Sequence, residues 1–244
     1  MKVLFLHGFS QNKHKFEIKT RGINTCFSDN DELVYLDGPI EVDSKDDQIF
    51  VNQPCSYMEP YPGNEDTSRS WWIYQSAERK EVSGFENTLL YIQHIVKTRG
   101  PFDGIVGFSQ GAILASILAS IFSRKDRGSI RFESQPPLKF AIIIGGGKPE
   151  NSSLLHYLDQ KINCKTLIII GKWDTVVASE RALLLSELFD NPQIIYHDGG
   201  HIVPLTPYII QETSKFLKTL ADDSKINLIS KAENKQVHLY KSSF

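Results

Sequence analysis

Three residue types that can cooperate in acyl transfer occur in a set order along this 244-residue chain. Ser109 sits in Gly107-Phe108-Ser109-Gln110-Gly111, Asp174 in "GKWDTVV" and His201 in "HDGGHIVP". A serine hydroxyl is a weak nucleophile at neutral pH. It needs a base to take its proton and an acid to orient and stabilise that base. The spacing G-x-S-x-G fits a sharp strand-to-helix turn that lifts the hydroxyl above a sheet and aims the N–H of Gln110 at a developing oxyanion. In such a turn the residues two before and two after the serine approach closely, so Gly107 and Gly111 are expected to lack a Cβ for that reason. The same five residues also fit an ordinary β-α turn in which Ser109 caps the helix. The pattern is too short to decide alone.

The partners decide it. A nucleophile elbow of this kind is followed along the chain by an acid and then a histidine, each after a strand. Asp174 follows the strong strand "TLIIIG", and His201 follows "IIYHDGG". Asp174 also suits a turn or a helix cap, and Asp198 and Asp37 are alternative acids. His197 competes with His201, but it lies within the strand-like run, where a half-buried structural histidine is the simpler reading. His201 is preferred because Gly199 and Gly200 let the backbone turn back toward the sheet. A second oxyanion donor is expected from the loop after the first strand, "LHGFSQN", with the amide of Phe9 favoured over that of Ser10 and with His7 bracing the loop.

These groups require a scaffold that delivers strand ends to one place. Six short apolar, β-branched runs read as buried parallel strands: residues 2–8, 32–38, 102–108, 139–146, 165–171 and 192–200. Helical periodicity fills most of the gaps, at about 13–28, 82–99, 110–123, 151–162, 178–190 and 207–221. Alternation of this kind predicts an α/β fold with a mostly parallel central sheet of about six strands and helices on both faces, its ligands held at the carboxyl ends of the strands. Residues 39–81 interrupt the rhythm and are too long for an ordinary loop, so they are read as a lid-like insertion, rich in aromatics that include Trp71, Trp72 and Tyr74. Small residues at Gly111, Ala115 and Ala119 let one helical face press closely on the sheet. The domain is expected over 1–221, with a polar, loosely ordered tail at 222–244.

Composition narrows the partners. A formal net charge of −2 offers no whole-chain basic excess for nucleic acid or an anionic membrane, which leaves a small molecule. Cys26, Cys55 and Cys164 are odd in number and widely spaced, which predicts reduced thiols rather than disulfides or a zinc site. The start "MKVLFLHGFS" does not read as a signal peptide, and no apolar run approaches bilayer length. A cytoplasmic or nuclear location is the expectation.

Four stretches, "LFLHGFSQN", "SRSWWIY", "GPFDGIVGFSQGA" and "HDGGHIVP", together resemble a family of small serine hydrolases of fungi and other eukaryotes, over residues 2 to about 218. The resemblance implies an α/β-hydrolase core without the first antiparallel strands, a Ser109, Asp174, His201 triad, and hydrolysis of carboxylic esters or thioesters with no metal or cofactor. It also implies an arginine-tryptophan-aromatic motif, present here as Arg69, Trp71 and Trp72. Trp71, Trp72 and Phe108 are candidate substrate contacts, with Trp71 and Trp72 equally readable as core anchors, and Arg69 is read as bracing an acid in its loop more than as binding a substrate carboxylate. The favoured substrate is a short- to medium-chain ester. A thioesterase with the same triad and a non-catalytic binding module are the alternatives.

Overall fold

The computed structural model describes residues 1–42, 67–75, 81–124 and 132–220. Its centre is a six-stranded sheet in the order β10-β9-β8-β7-β1-β2, with every pairing parallel. The strands are β1 (Lys2–Leu6), β2 (Glu32–Leu36), β7 (Gly104–Phe108), β8 (Phe140–Ile144), β9 (Lys165–Gly171) and β10 (Gln193–His197). All six lie within the runs expected from their apolar, β-branched sequences. The central ones are buried on both faces, which is why they lack alternation: in β1, Leu4 and Leu6 enter one core cluster, whereas Val3 and Phe5 enter the cluster on the opposite face.

Helices α1 (Lys13–Asn24), α2 (Phe85–Arg99), α3 (Gln110–Ser123), α4 (Ser152–Leu155) and α5 (Ser179–Ser186), together with α6 (207–220), form the crossovers and the closing layer. Asparagine side chains start two of them. Asn12 caps α1 by accepting the Lys15 N–H, and Asn151 caps α4 by accepting from Ser153 and Leu154. The apolar helix α3 is buried continuously from Gln110 to Phe122, as a helix hydrophobic on all sides must be.

The insertion contributes two short antiparallel pairs outside the main sheet. β3 (Ile40–Val42) pairs with β4 (Ser68–Ser70), and β5 (Ile73–Tyr74) pairs with β6 (Val82–Ser83). The described part of 39–81 is therefore ribbon fastened to the core. The Arg69 N–H donates to Gln11 O at 2.7 Å, and the buried Arg69 guanidinium lies 3.7 Å from the Glu41 carboxylate across the β3–β4 pair. The lid reading of 43–66 and 76–80, Cys55, and the tail from 222 lie outside the described residues. Cys26 and Cys164 are free thiols. Among the described residues no helix is long and apolar enough to cross a membrane, and no cluster of three or more His, Cys, Asp or Glu side chains is placed to hold a metal.

The chain runs from β1 to β2 on one side and returns to β7 on the other, so the sheet has its switch point between β1 and β7. In open α/β sheets ligands bind in the crevice outside such a point.

Candidate active site

Ser109 connects β7 to α3 with φ of 53° and ψ of −115°, a conformation that L-residues rarely adopt. Neighbouring chains hold it there. The Ser109 N–H donates to Ile144 O of β8 at 2.9 Å, and the Ser109 carbonyl accepts from Ala112 at 3.0 Å and Ile113 at 3.2 Å. The side chain makes no capping bond to its helix, which removes the helix-cap reading. A Cβ at Gly107 would sit 2.3 Å from Gly111 O, and one at Gly111 would sit 2.1 Å from Leu6 O. Gly107 thus leaves room for Gly111, as expected. Gly111 leaves room for the end of β1, a contact that reading the motif by itself does not reveal.

The His201 loop after β10 reaches Ser109 across the intervening strand ends. His201 Nε2 lies 2.8 Å from Ser109 Oγ, and Nδ1 lies 2.7 Å from Asp174 Oδ2. Asp174 cannot swing away. Its Oδ1 accepts the N–H groups of Val176 and Val177 at 2.9 and 2.8 Å, and its side chain is 2% exposed. With the carboxylate accepting at Nδ1, a neutral imidazole carries its proton there and presents the Nε2 lone pair to the serine hydroxyl.

The competing residues are placed elsewhere. Asp37 accepts the Lys13 N–H at the start of α1, and exposed Asp198 pairs with Lys172 at 2.7 Å, which lowers its pKa. His197 is buried, and its Nδ1 accepts the Gly199 N–H at 3.2 Å. Burial is the main cause that lowers its pKa, against the attraction of Asp174 and Asp198. It shapes the turn from which His201 projects.

Phe9 and Gln110 both line the cavity beside Ser109. Among the described residues neither the Phe9 N–H nor the Gln110 N–H has a protein acceptor. His7 fixes the Phe9 loop. Its Nδ1 donates to Gly8 O at 2.7 Å, while Nε2 accepts the Gly38 N–H at 2.9 Å. That pair of bonds requires a neutral ring, and complete burial pushes its pKa down to about 4.

The Gln110 side chain departs from expectation. The sequence pointed to its backbone amide more than to its side chain, yet Oε1 accepts the Trp71 N–H at 3.0 Å and Nε2 donates to Trp72 O at 2.7 Å. The Trp71 indole N–H donates to His7 O at 2.8 Å, and Thr88 Oγ1 donates to Trp71 O. Trp71 and Trp72 are fully buried, and Trp72 packs edge-on against Phe85 with ring centroids 5.5 Å apart. Their full burial favours the core-anchor reading of the pair over the substrate-contact one. Phe108 is likewise 3% exposed and packs against the His201 ring at 4.9 Å, with Gly8, Phe16 and Gly145 also beside it.

Ser109 opens into a cavity of about 260 Å³ whose walls include Phe9, Ile113, Val176, Val177 and Arg181. Among the described residues of the insertion, Tyr74 is the aromatic that reaches it. Arg181 escaped the sequence reading because charges in the first turns of an amphipathic helix usually face solvent. The available signal was its place on the helix that follows the Asp174 loop directly.

Residues 1–213 match the family described as "Serine hydrolase (FSH1)". A protein named "Esterase OVCA2" from Xenopus tropicalis is 32% identical over 212 residues, covering 84% of this chain and 86% of that protein. An "Uncharacterized hydrolase" of Schizosaccharomyces pombe is 28% identical over 88% of this chain, which spans 50% of that longer protein. Among solved structures, acyl-protein thioesterase 2 of Zea mays superposes with a TM-score of 0.61 at 18% identity, covering 90% of this chain and 93% of that one. This last likeness is of fold, the α/β-hydrolase fold.

Proposed function

Since the chain belongs to the FSH1 family of serine hydrolases and is a hydrolase of esters, we propose that Ser109, His201 and Asp174 are its catalytic triad and that it cleaves short- to medium-chain carboxylic esters. The observation that carries the reading is the continuous relay from Ser109 Oγ to His201 Nε2 at 2.8 Å and from Nδ1 to Asp174 at 2.7 Å. In this mechanism His201 takes the Ser109 proton as the oxygen bonds to the acyl carbon, and the carbonyl electron pair moves onto oxygen between the amides of Phe9 and Gln110. Collapse breaks the bond to the leaving oxygen, which departs as the alcohol with the proton from His201. Water then gives its proton to His201 and attacks the acyl-enzyme. The acid leaves, and Ser109 recovers its proton. Asp174 stays ionised throughout, stabilising the imidazolium.

The cavity of about 260 Å³ supports a small acyl group, since it falls below the ~300–1,000 Å³ of sites for drug-sized ligands. The test is fluorophosphonate labelling beside turnover of p-nitrophenyl esters of graded chain length and a matched thioester. The wild type should label and turn over, and Ser109→Ala should do neither, with turnover reduced by 10³-fold or more, roughly the scale of triad loss. Equal labelling of the mutant overturns the triad. A steep preference for a long-chain thioester overturns the substrate class.

A further inference from the structure

We propose that Arg181 makes the cavity selective for acyl groups that carry a carboxylate at their far end. This deepens the ester hydrolase reading above and rests on it. Three observations bear on the choice.

The first is charge. Among the described residues that line the cavity beside Ser109, Arg181 carries the only charge, and Ile113, Val176 and Val177 make most of the remaining wall apolar. Among the described residues no carboxylate lines the same space. The Arg181 guanidinium is paired with Glu150, which is largely exposed, but on an apolar wall it still attracts an anion and is poorly matched to a hydrocarbon end.

The second is how Arg181 is held. Its Nη2 donates to Lys148 O at 3.0 Å, and its Nε lies 3.4 Å from the carboxylate of Glu150, which is itself largely exposed. The Arg181 carbonyl accepts the Lys148 N–H at 3.0 Å, so backbone and side chain are tied to the same loop after β8. Of the five N–H donors of a guanidinium these contacts engage two. The Nη1 end of the guanidinium has no partner among the described residues, which leaves that edge to donate to a carboxylate. The tethers fix that edge in advance, which reduces the ordering cost of binding.

The third is direction. His201 must protonate the leaving oxygen, so the leaving group lies on the His201 side of Ser109. His201 is not among the described residues that line the cavity, whereas Ser109, Gln110 and Phe9 are. The cavity therefore receives the acyl part, and Arg181 meets its end. Arg69, the cation considered from sequence for a substrate carboxylate, is buried beside Glu41 and does not reach this space.

The test compares two esters of equal chain length, 4-methylumbelliferyl hydrogen adipate and 4-methylumbelliferyl hexanoate, with the full chain and with Arg181→Gln and Arg181→Lys. The wild type should hydrolyse the adipate at least as efficiently as the hexanoate. In Arg181→Gln the adipate-to-hexanoate ratio of kcat/KM should fall about 10- to 100-fold, mainly through KM, the range for losing charge-assisted hydrogen bonds. Arg181→Lys keeps the charge without the fork and should fall by less. If Arg181→Gln does not fold, the wild type still decides: raising salt from about 0.05 to 0.5 M should lower the ratio, because a partly exposed ion pair is screened. A wild-type preference for hexanoate above tenfold, a ratio that Arg181→Gln leaves unchanged, or one indifferent to salt overturns the proposal. Hydrolysis of neither ester instead overturns the reading on which it rests.

Discussion

Acid should weaken this protein through a histidine that takes no part in the chemistry. His7 is fully buried, donates from Nδ1 to Gly8 O and accepts at Nε2 from the Gly38 N–H. Protonation would turn Nε2 into a donor facing another donor. Burial, the leading cause, pushes the folded pKa to about 4, whereas an unfolded histidine titrates near ~6.5. The folded pKa is depressed, so the unfolded chain binds a proton that the folded chain refuses. The contribution to stability is whole above pH ~6.5 and is lost as pH falls toward about 4, at up to ~1.4 kcal/mol per pH unit, or on the order of 3 kcal/mol across the window.

Urea unfolding of the wild type and of His7→Gln, measured between pH 7.5 and 4.5, isolates this term. Glutamine supplies one donor and one acceptor but does not titrate. His197, whose pKa is also lowered, contributes equally to both proteins and cancels. The wild type should lose about 2–3 kcal/mol more than the variant over that range. The His7 ring resonances in NMR should titrate with a midpoint near 4, which serves if the variant is too weak to fold. Parallel stability curves, or a His7 midpoint near 6.5, would refute the reasoning.

Two further outcomes follow from the site. His201→Ala should abolish ester turnover, while His197→Ala, which removes only the acceptor for the Gly199 N–H, should mainly lower the unfolding midpoint; the reverse pattern would show that the wrong histidine was chosen as base. Gln110→Ala keeps the backbone amide of the proposed oxyanion site but strands the Trp71 N–H and the Trp72 carbonyl, so it should cost about 2–4 kcal/mol in urea unfolding. A loss under about 0.5 kcal/mol would mean that the side-chain clamp contributes nothing.

The sheet was readable because buried parallel strands have a composition of their own: "KVLFL", "FAIII" and "KTLIIIG" leave few alternatives, and each ends where a turn residue stands. The serine, acid and histidine were readable because this fold imposes their order and each follows such a strand. What the sequence hid was decided by contacts between distant segments. The Gln110 side chain is bound by residues 71 and 72, some 38 positions earlier, and nothing local distinguishes a clamp from a solvated glutamine. Trp71 and Trp72 have the composition of a ligand-binding patch, but whether an aromatic faces a cavity or a core depends on how the insertion docks. Arg181 is the converse case, a helix-surface charge that the loop after β8 turns inward.

The relay joins groups 92 and 27 residues apart in sequence, and its members leave β7, β9 and β10, with β10 forming one edge of the sheet. The order of chain growth therefore becomes a safeguard. When Ser109 and its elbow emerge during synthesis, the base does not yet exist, and it reaches the serine only after the last strand has docked on β9. Contacts of such long range form late in folding. With the proposed triad, the nascent hydrolase is harmless to esters around it until β10 has docked, and turnover reports that this edge strand is in place.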